Sequence, residues 1–276
     1  MPELPEVETV ARGLRDRLIG STIKEVKSLH PRAVKGDSLP IEILTNCKVF
    51  AINRRGKFIW FDIGKDFVLT THLGMSGQYL FLDKPTLAPR FCRALFYFKP
   101  TEYLAFNDQR TFGWISVEKL SEEGGKLIPS SILKIAPDIF DPFFSKSVVW
   151  DTIRKRNSKI KHLLLDQSIL SGIGNIYADE SLWYARINPD RLGSDLSDDE
   201  FSYLLSKIRF VLDRAVHLGG TSFDEQYVDS LGKPGLASKN IKVYQREGKG
   251  CYRCGDTIKK IPFGQRYTRF CPTCQI

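Results

Sequence analysis

The chain has 276 residues, 42% of them hydrophobic, and a formal net charge of +9 at pH 7. This length accommodates two domains with separate cores, and the composition is that of a globular protein. The first residues are polar and acidic, and no apolar run approaches the roughly 20 residues of a membrane-spanning helix. We therefore expect neither a secretory signal nor a membrane anchor, and we expect a cytoplasmic location.

The positive charge is concentrated near the C-terminus. Residues 233–276 hold ten Lys or Arg and two acidic residues, which gives +8, whereas the first 232 residues carry only +1. A small basic module favours a polyanionic partner, with nucleic acid as the first interpretation and an anionic membrane surface as the second. A solvated basic tail without a partner is the remaining alternative.

The N-terminal sequence PELPEVET combines a candidate nucleophile with a helix start. Removal of Met1 would leave Pro2 as a secondary amine that can add to an aldehyde and form an iminium. An unperturbed α-amino group has a pKa of about 8, so a useful fraction is unprotonated near neutrality. Glu3 places a proton-transferring carboxylate beside this amine. From these residues alone, a capped helix without chemistry is the alternative, because Pro5 suits a first helical turn and the amphipathic pattern continues to Gly20.

Short β-rich runs follow, separated by turns that contain Gly, Pro or Asp. Many short strands at this spacing predict an antiparallel sandwich or barrel-like domain, against which the first helix packs. The predicted strands are Thr22–Ser28, Lys48–Asn53, Phe58–Ile63, Phe67–His72, Gly77–Leu82, Arg93–Lys99, Tyr103–Asn107 and Thr111–Val117.

Glycine and proline residues then interrupt the pattern, and we predict a linker at 121–145 between an N-terminal domain (1–120) and a helical domain (146–240). The best helix opens with a capping box, Ser197 as N-cap and Glu200 three residues later. The predicted helices are Val148–Lys155, Ile160–Asp166 and Phe201–Leu218, the last ended by Gly219-Gly220.

Four cysteines define the final module, residues 241–276. Two Cys-x2-Cys pairs are separated by sixteen residues, which is typical of a tetrahedral zinc site in a zinc ribbon. Disulfides are the alternative, but nothing marks the chain as secreted. Four thiolates leave no open position on the metal, so the predicted zinc is structural. The ligands would be Cys251, Cys254, Cys271 and Cys274, and the hairpin between them carries basic residues suited to phosphate contacts, Lys259, Lys260, Arg266 and Arg269.

Two further sequences suit a phosphate partner. In SGIGNIYADE, the glycines permit a tight turn, so that backbone N–H groups and Asn175 can meet a phosphate at a helix N-terminus. A plain helix–helix turn is the alternative. Lys57 follows Arg54-Arg55-Gly56 in a basic turn, for which a solvated hairpin tip is the alternative.

Two turns contain residues that could enter a DNA duplex. HLGMSG exposes Met75 between glycines, and NDQRTFG holds Arg110 and Phe112 two residues apart. Beside a basic groove, such side chains can wedge between bases and fill the space of an extruded nucleotide. Minor core positions are the alternative.

These motifs, in this order, resemble those of bacterial formamidopyrimidine-DNA glycosylases, and they cover nearly the whole chain. The set comprises PELPEVET, RRGK, HLGMSG, NDQRTFG, IKHLLLDQ, SGIGNIYADE and the four-cysteine ribbon. The resemblance implies an α+β fold: an N-terminal β-sandwich with a long N-terminal helix, then a helix–two-turns–helix domain ending in the zinc ribbon, with DNA in the cleft between them. It also implies a monomeric bacterial enzyme that associates with the nucleoid through DNA and holds one structural zinc.

The implied reaction removes oxidised purines, chiefly 8-oxoguanine and formamidopyrimidines, from double-stranded DNA. The strand is then cleaved at the abasic site by β,δ-elimination. The resemblance assigns catalysis to Pro2, Glu3, Lys57 and Arg266, and further DNA contacts to His72, Met75, Arg110, Phe112, Lys161 and Asn175.

One loop departs from the family pattern. After Gly220, the family commonly has a basic residue where this chain has Asp224-Glu225. Two other functions stay open. An endonuclease VIII-like enzyme would act on oxidised pyrimidines, although Leu4 and the complete Met-Arg-Phe trio favour the purine enzyme. A non-catalytic binder of damaged DNA would not need the terminal amine of Pro2.

Overall fold

The computed structural model describes residues 1–99, 102–222 and 232–276. The chain divides into two compact units, Met1–Lys134 with Leu218–Leu236, and Ile135–His217 with Ala237–Ile276. The acidic pair Asp224-Glu225, on which the departure from the family pattern rests, lies outside the described residues. None of the helices in the described part of the chain is long and apolar enough to cross a membrane.

The first unit begins with helix α1, Leu4–Leu18, as the amphipathic pattern predicts. Its apolar positions recur at helical spacing, so that one face of the helix is buried in the core. The buried residues of this face are Val7, Val10, Ala11, Leu14 and Leu18. Gly20 follows with a φ of +87°, a left-handed conformation that favours glycine and turns the chain out of the helix.

Nine antiparallel strands are present in the described part of the first unit. They form a four-stranded sheet in the order β1-β6-β7-β5 and a five-stranded sheet in the order β2-β3-β4-β8-β9. Both sheets contribute to one hydrophobic core, which confirms the predicted sandwich. The strands are β1 (Glu25–Ser28), β2 (Ala51–Arg55), β3 (Phe58–Asp62), β4 (Phe67–His72), β5 (Gly77–Leu82), β6 (Cys92–Lys99), β7 (Glu102–Asp108), β8 (Trp114–Glu123) and β9 (Lys126–Pro129).

Two connections between the sheets run side by side. Strand β4 pairs with β8 in one sheet, and β5 pairs with β7 in the other. The β4–β5 connection and the β7–β8 connection must therefore cross between the sheets at the same end. This topology brings the HLGMSG and NDQRTFG turns together.

The predicted linker at 121–145 is wrong in its first part. Strand β8 continues to Glu123 and pairs with β9, and Gly124-Gly125, with φ values of +56° and +79°, forms the turn between them. Two successive glycines suit a two-residue hairpin turn, which needs φ above zero at both central positions.

The second unit contains helices α2 (Lys146–Ile153), α3 (Ile160–Leu165), α4 (Asn175–Ala185) and α5 (Asp198–His217). The capping box is confirmed, because the Ser197 N–H donates to Glu200 Oε2 at 2.9 Å and the Glu200 N–H donates to Ser197 Oγ at 3.2 Å. The C-terminal ribbon is the hairpin β10 (Lys259–Phe263) and β11 (Arg266–Phe270).

Candidate functional site

The N-terminus is held in place by a buried carboxylate. Pro2 and Glu3 are both buried directly before α1, while Met1 is exposed. The Glu3 N–H donates to Glu6 Oε2 at 2.8 Å, and Glu6 Oε1 accepts from the N–H and hydroxyl of Thr221 at 2.6 and 3.0 Å. Glu6 therefore joins the backbone beside Pro2 to the start of the segment after Gly220. No motif in the sequence indicates this contact, because Glu6 and Thr221 are 215 positions apart.

A second carboxylate connects α1 to the turn that carries Lys57. This lysine is buried in the β2–β3 turn. Arg54 donates from Nε to Glu8 Oε2 at 2.8 Å and from Nη1 to the Gly56 carbonyl at 3.0 Å. Burial alone would raise the pKa of Glu8, but its contacts with Arg15 and Arg54 outweigh burial and lower it. The ionised Glu8 thus holds the Lys57 turn against α1, the helix that begins two residues after Pro2.

His72 ends β4 beside the same turn. Its ring lies 4.9 Å from Phe58 and stacks on Trp114, with centroids 6.1 Å apart. Burial and the positive charge of Lys57 lower the pKa of His72 to about 4, so the ring is neutral near pH 7. The Gly74 N–H donates to Nδ1 at 3.0 Å, which leaves Nε2 as the protonated nitrogen and the available donor.

Met75, Arg110 and Phe112, called the wedge below, all lie at the surface. Met75 is 42% exposed and Phe112 is 60% exposed, which excludes the alternative that they are core residues. Arg110 Nη1 lies 3.9 Å from Met75 Sδ. The paired crossovers of the sandwich thus bring together residues that are 35 positions apart in sequence.

The four cysteine sulfurs of the second unit converge on one point. They all lie within 4.8 Å of one another, with Cys251–Cys274 at 3.9 Å and Cys254–Cys271 at 3.5 Å. A tetrahedral site with zinc–sulfur bonds of about 2.3 Å has sulfurs about 3.8 Å apart, so the four residues fit one structural zinc. The Trp183 indole N–H also lies 3.5 Å from Cys251 Sγ, as expected of an outer-shell partner.

Asn175 is hydrogen-bonded to the strand of the ribbon hairpin that begins with Arg266. Asn175 is the first residue of α4, and its Nδ2 donates to the Tyr267 carbonyl at 3.1 Å. Arg266, the neighbour of Tyr267, is exposed at the start of β11. A primary amide has two N–H donors, and this contact uses one of them.

Lys161 occupies a different environment from the one predicted. Lys161 and Asp179 are both fully buried, with Nζ 2.6 Å from Oδ1. Asp179 also accepts from the Thr268 hydroxyl at 2.7 Å and from the Arg269 N–H at 3.0 Å. The pair therefore joins α3 and α4 to strand β11. This buried position offers no surface for the direct DNA contact predicted for Lys161.

Comparison with known proteins identifies the family. Models of the formamidopyrimidine-DNA glycosylase N-terminal domain and H2TH domain match residues 1–115 and 135–226, and a model of the zinc finger found in FPG and IleRS matches 248–276. A formamidopyrimidine-DNA glycosylase of Acidothermus cellulolyticus is 41% identical over 280 residues, covering 100% of this chain and 97% of the relative. The chain belongs to the formamidopyrimidine-DNA glycosylase family.

Other members of this family match over their full length. The formamidopyrimidine-DNA glycosylase of Mycobacterium leprae is 40% identical over 279 residues, covering 100% of this chain and 98% of the relative. A mutant Lactococcus lactis enzyme bound to Fapy-dG-containing DNA matches with a TM-score of 0.87 at 34% identity over 99% of both chains. The wild-type L. lactis enzyme bound to DNA with an oxidised pyrimidine matches with a TM-score of 0.83 at 33% identity, again over 99% of both chains. The α+β fold with its zinc ribbon is confirmed.

Proposed function

We propose that this member of the family excises oxidised purines, 8-oxoguanine and formamidopyrimidines, from double-stranded DNA and then cleaves the strand at the abasic site. One observation carries the proposal. Glu6 and the Glu8–Arg54 contact hold the buried Pro2-Glu3 dipeptide and the Lys57 turn on the same end of α1. A damaged-DNA binder without catalysis would not need this assembly.

The chemistry requires removal of Met1, whose exposed position leaves it accessible. The free Pro2 nitrogen would attack C1′ as the glycosidic bond breaks, and the departing base would carry away the bonding electrons and take up a proton. Glu3 would exchange protons with the sugar while its ring opens to the iminium. The iminium acidifies the 2′ proton, so successive β- and δ-eliminations release the 3′ and 5′ phosphates from the sugar. Lys57 would contact a phosphate and assist proton transfer near the lesion.

The remaining predicted residues would hold the DNA. The wedge would enter the space of the extruded base, with the Arg110 guanidinium donating to the acceptors of the orphaned cytosine. Asn175, Arg266 and the Nε2–H of neutral His72 would bind backbone phosphates. We propose that Lys161 acts indirectly, by fixing the hairpin that presents Arg266. We also propose that the enzyme is a monomer in the bacterial cytoplasm and associates with the nucleoid through DNA.

Borohydride trapping tests the nucleophile and the lesion class together. The substrates are duplexes with one 8-oxoguanine opposite cytosine or one oxidised thymine. We expect a covalent adduct at Pro2, formed mainly with 8-oxoguanine. A preference for oxidised thymine would favour the endonuclease VIII-like alternative. The second substrate is included because the wild-type L. lactis relative was solved with DNA that contains an oxidised pyrimidine.

The variant Pro2→Gly separates catalysis from binding. Glycine is also small enough for Met1 to be removed, so the N-terminus is processed as in the parent protein. We expect DNA binding to be retained and strand cleavage to fall at least about tenfold, because the secondary amine is lost. Full cleavage by the correctly processed variant would contradict the proposed nucleophile.

A further inference from the structure

A buried carboxylate lies directly beneath the exposed wedge. Asp108 is the last residue of β7 and is 0% exposed, although Arg110 and Phe112 follow at the surface within four residues. Its partner across the β5–β7 ladder is Gly77, which lies two residues after Met75. Burying a carboxylate is costly unless hydrogen bonds compensate for the lost water, so the contacts of Asp108 define what it does.

Those contacts come from both wedge-bearing loops. Oδ1 accepts from the Ser76 hydroxyl at 2.5 Å and from the Arg110 N–H at 3.2 Å, and Oδ2 accepts from the Gly113 N–H at 2.7 Å. Ser76 Oγ in turn accepts from the Arg110 N–H at 3.1 Å. One carboxylate therefore accepts from all three places: from Ser76 next to Met75, from Arg110 itself, and from Gly113 next to Phe112. Hydrogen bonds to an ionised acceptor are about twice as strong as neutral ones.

Asp108 is itself held from the opposite side. Arg93 donates from Nε to the Asp108 carbonyl at 2.7 Å and from Nη2 to the Gln109 carbonyl at 3.4 Å. The Asp108 N–H donates to the Phe91 carbonyl at 2.9 Å. The carboxylate therefore projects from a backbone whose polar groups are already paired, and it cannot follow a displaced loop without breaking these bonds.

The two loops also touch backbone to backbone. At Gly74, with a φ of +60°, a Cβ atom would lie 2.4 Å from the Gly113 nitrogen. Thr111 adopts a φ of +56°, a conformation that a β-branched residue takes only at an energetic cost. The wedge-bearing loops are thus in direct contact and include a strained residue, which requires support from neighbouring groups.

We propose that Asp108 is a positioning residue that orders the wedge before DNA binds. Because its carboxylate fixes both loops, Met75, Arg110 and Phe112 can enter the duplex together without an ordering step. The inference rests on the proposed function, in which the wedge fills the space of the extruded base. Asp108 contacts no reacting atom, and its effect is confined to the extrusion step.

The variant Asp108→Asn tests this inference. An amide supplies one acceptor oxygen, and its NH2 group would face an N–H or hydroxyl donor, so one of the two loops loses its anchor. In single-turnover assays on 8-oxoguanine opposite cytosine, we expect excision to slow by about 10- to 100-fold, because small misplacements of positioning groups cause rate losses of this size. Cleavage of a preformed abasic site in single-stranded DNA should change by less than about threefold, because no base is extruded and the Pro2 chemistry is untouched.

A fluorescence readout isolates the extrusion step. With 2-aminopurine beside the lesion, the fluorescence rise that reports unstacking should slow in Asp108→Asn in parallel with excision. Ser76→Ala removes only the bridging hydroxyl and should give a smaller effect in the same direction. The matched control is Asp62→Asn, since Asp62 Oδ1 likewise accepts a turn N–H, from Gly64 at 2.9 Å, at a distance from the wedge. The control should alter neither reaction.

The outcomes separate this inference from the proposed function. Equal losses on both substrates, or no loss on either, in folded Asp108→Asn protein would overturn the positioning role. An unchanged rate of unstacking with slow excision would also overturn it. Failure of the parent protein to cleave the abasic strand would contradict the proposed function instead.

Discussion

The two loops that carry the wedge and the ribbon hairpin both hold an arginine at the surface, but different interactions support them. Each places an arginine at the surface, Arg110 in one and Arg266 in the other. The wedge loops connect strands of two sheets that share a large core, and one carboxylate, Asp108, links them. The ribbon is a sheet of only two strands, and an isolated two-stranded hairpin is at best marginally stable in water.

The difference shows how much support a projecting element needs. Where the core already fixes the ends of a loop, a few hydrogen bonds are enough to order its tip. Where only two short strands are available, a metal ion and the buried Lys161–Asp179 pair must supply the missing stability. We therefore expect the ribbon to depend on zinc and on a buried charge, and the wedge to depend on local hydrogen bonding.

Zinc removal should have the largest effect. Chelation leaves four thiols without their metal, so the hairpin loses its order and Arg266 its position. We expect affinity for DNA to fall by at least about 100-fold, since structural zinc contributes on the order of 10 kcal/mol to folding of such modules. Fluorescence anisotropy with labelled duplex, before chelation and after zinc is returned, measures this loss. Hydrogen exchange in β4 and β8 should not change, and tight binding by zinc-free protein would contradict the role of Arg266.

Breaking the buried ion pair should have the next largest effect. Lys161→Met leaves the Asp179 carboxylate buried without its cation, which costs about 3–5 kcal/mol in the free energy of unfolding. Denaturant unfolding measures the loss, and hydrogen exchange should locate it in β10 and β11. The matched control is Lys159→Met, because the Lys159–Asp190 pair has a similar distance of 2.7 Å but is 45% and 42% exposed. That change should cost less than about 1 kcal/mol, and equal losses from both variants would contradict the distinction.

Lowering the pH should reduce the free energy of unfolding through His72, which lies near the wedge. This effect should be smaller than that of breaking the ion pair. The folded protein keeps His72 neutral down to about pH 4, whereas the unfolded chain takes up the proton below about pH 6.5. Between these values the unfolded state binds more protons, so the free energy of unfolding falls as the pH is lowered, by up to about 3 kcal/mol. His72→Asn keeps an acceptor for the Gly74 N–H and should flatten the pH dependence of unfolding. The exposed His162 is the control, and an identical flattening by His162→Asn would contradict the assignment.

Several parts of the fold and site were predictable from short stretches of sequence. The apolar spacing of α1, the Ser197–Glu200 capping box and the two Cys-x2-Cys pairs each depend on residues that are near one another in the chain. The physical interactions involved are local, so a pattern of a few residues is enough to indicate them. The turn sequence HLGMSG likewise predicted that Met75 is exposed.

The supporting carboxylates were not predictable in the same way. Asp108 and its partner Ser76 are 32 positions apart, and Glu6 and Thr221 are 215 positions apart. Which donor meets a carboxylate depends on strand pairing and on the order of strands in each sheet. The buried ion pair of Lys161 was not predictable for the same reason, because its partner Asp179 lies on another helix.

The sequence by itself therefore determined most helices and strands of this protein and its metal ligands, and it predicted the chemical groups that a repair reaction would use. Only the tertiary structure decided which of those groups are buried, which are presented at the surface, and what holds each in place. The physical reason is that hydrophobic periodicity, capping and metal-ligand spacing act over a few residues. Desolvation and hydrogen bonding of a buried charge depend instead on groups that folding brings together from distant parts of the chain.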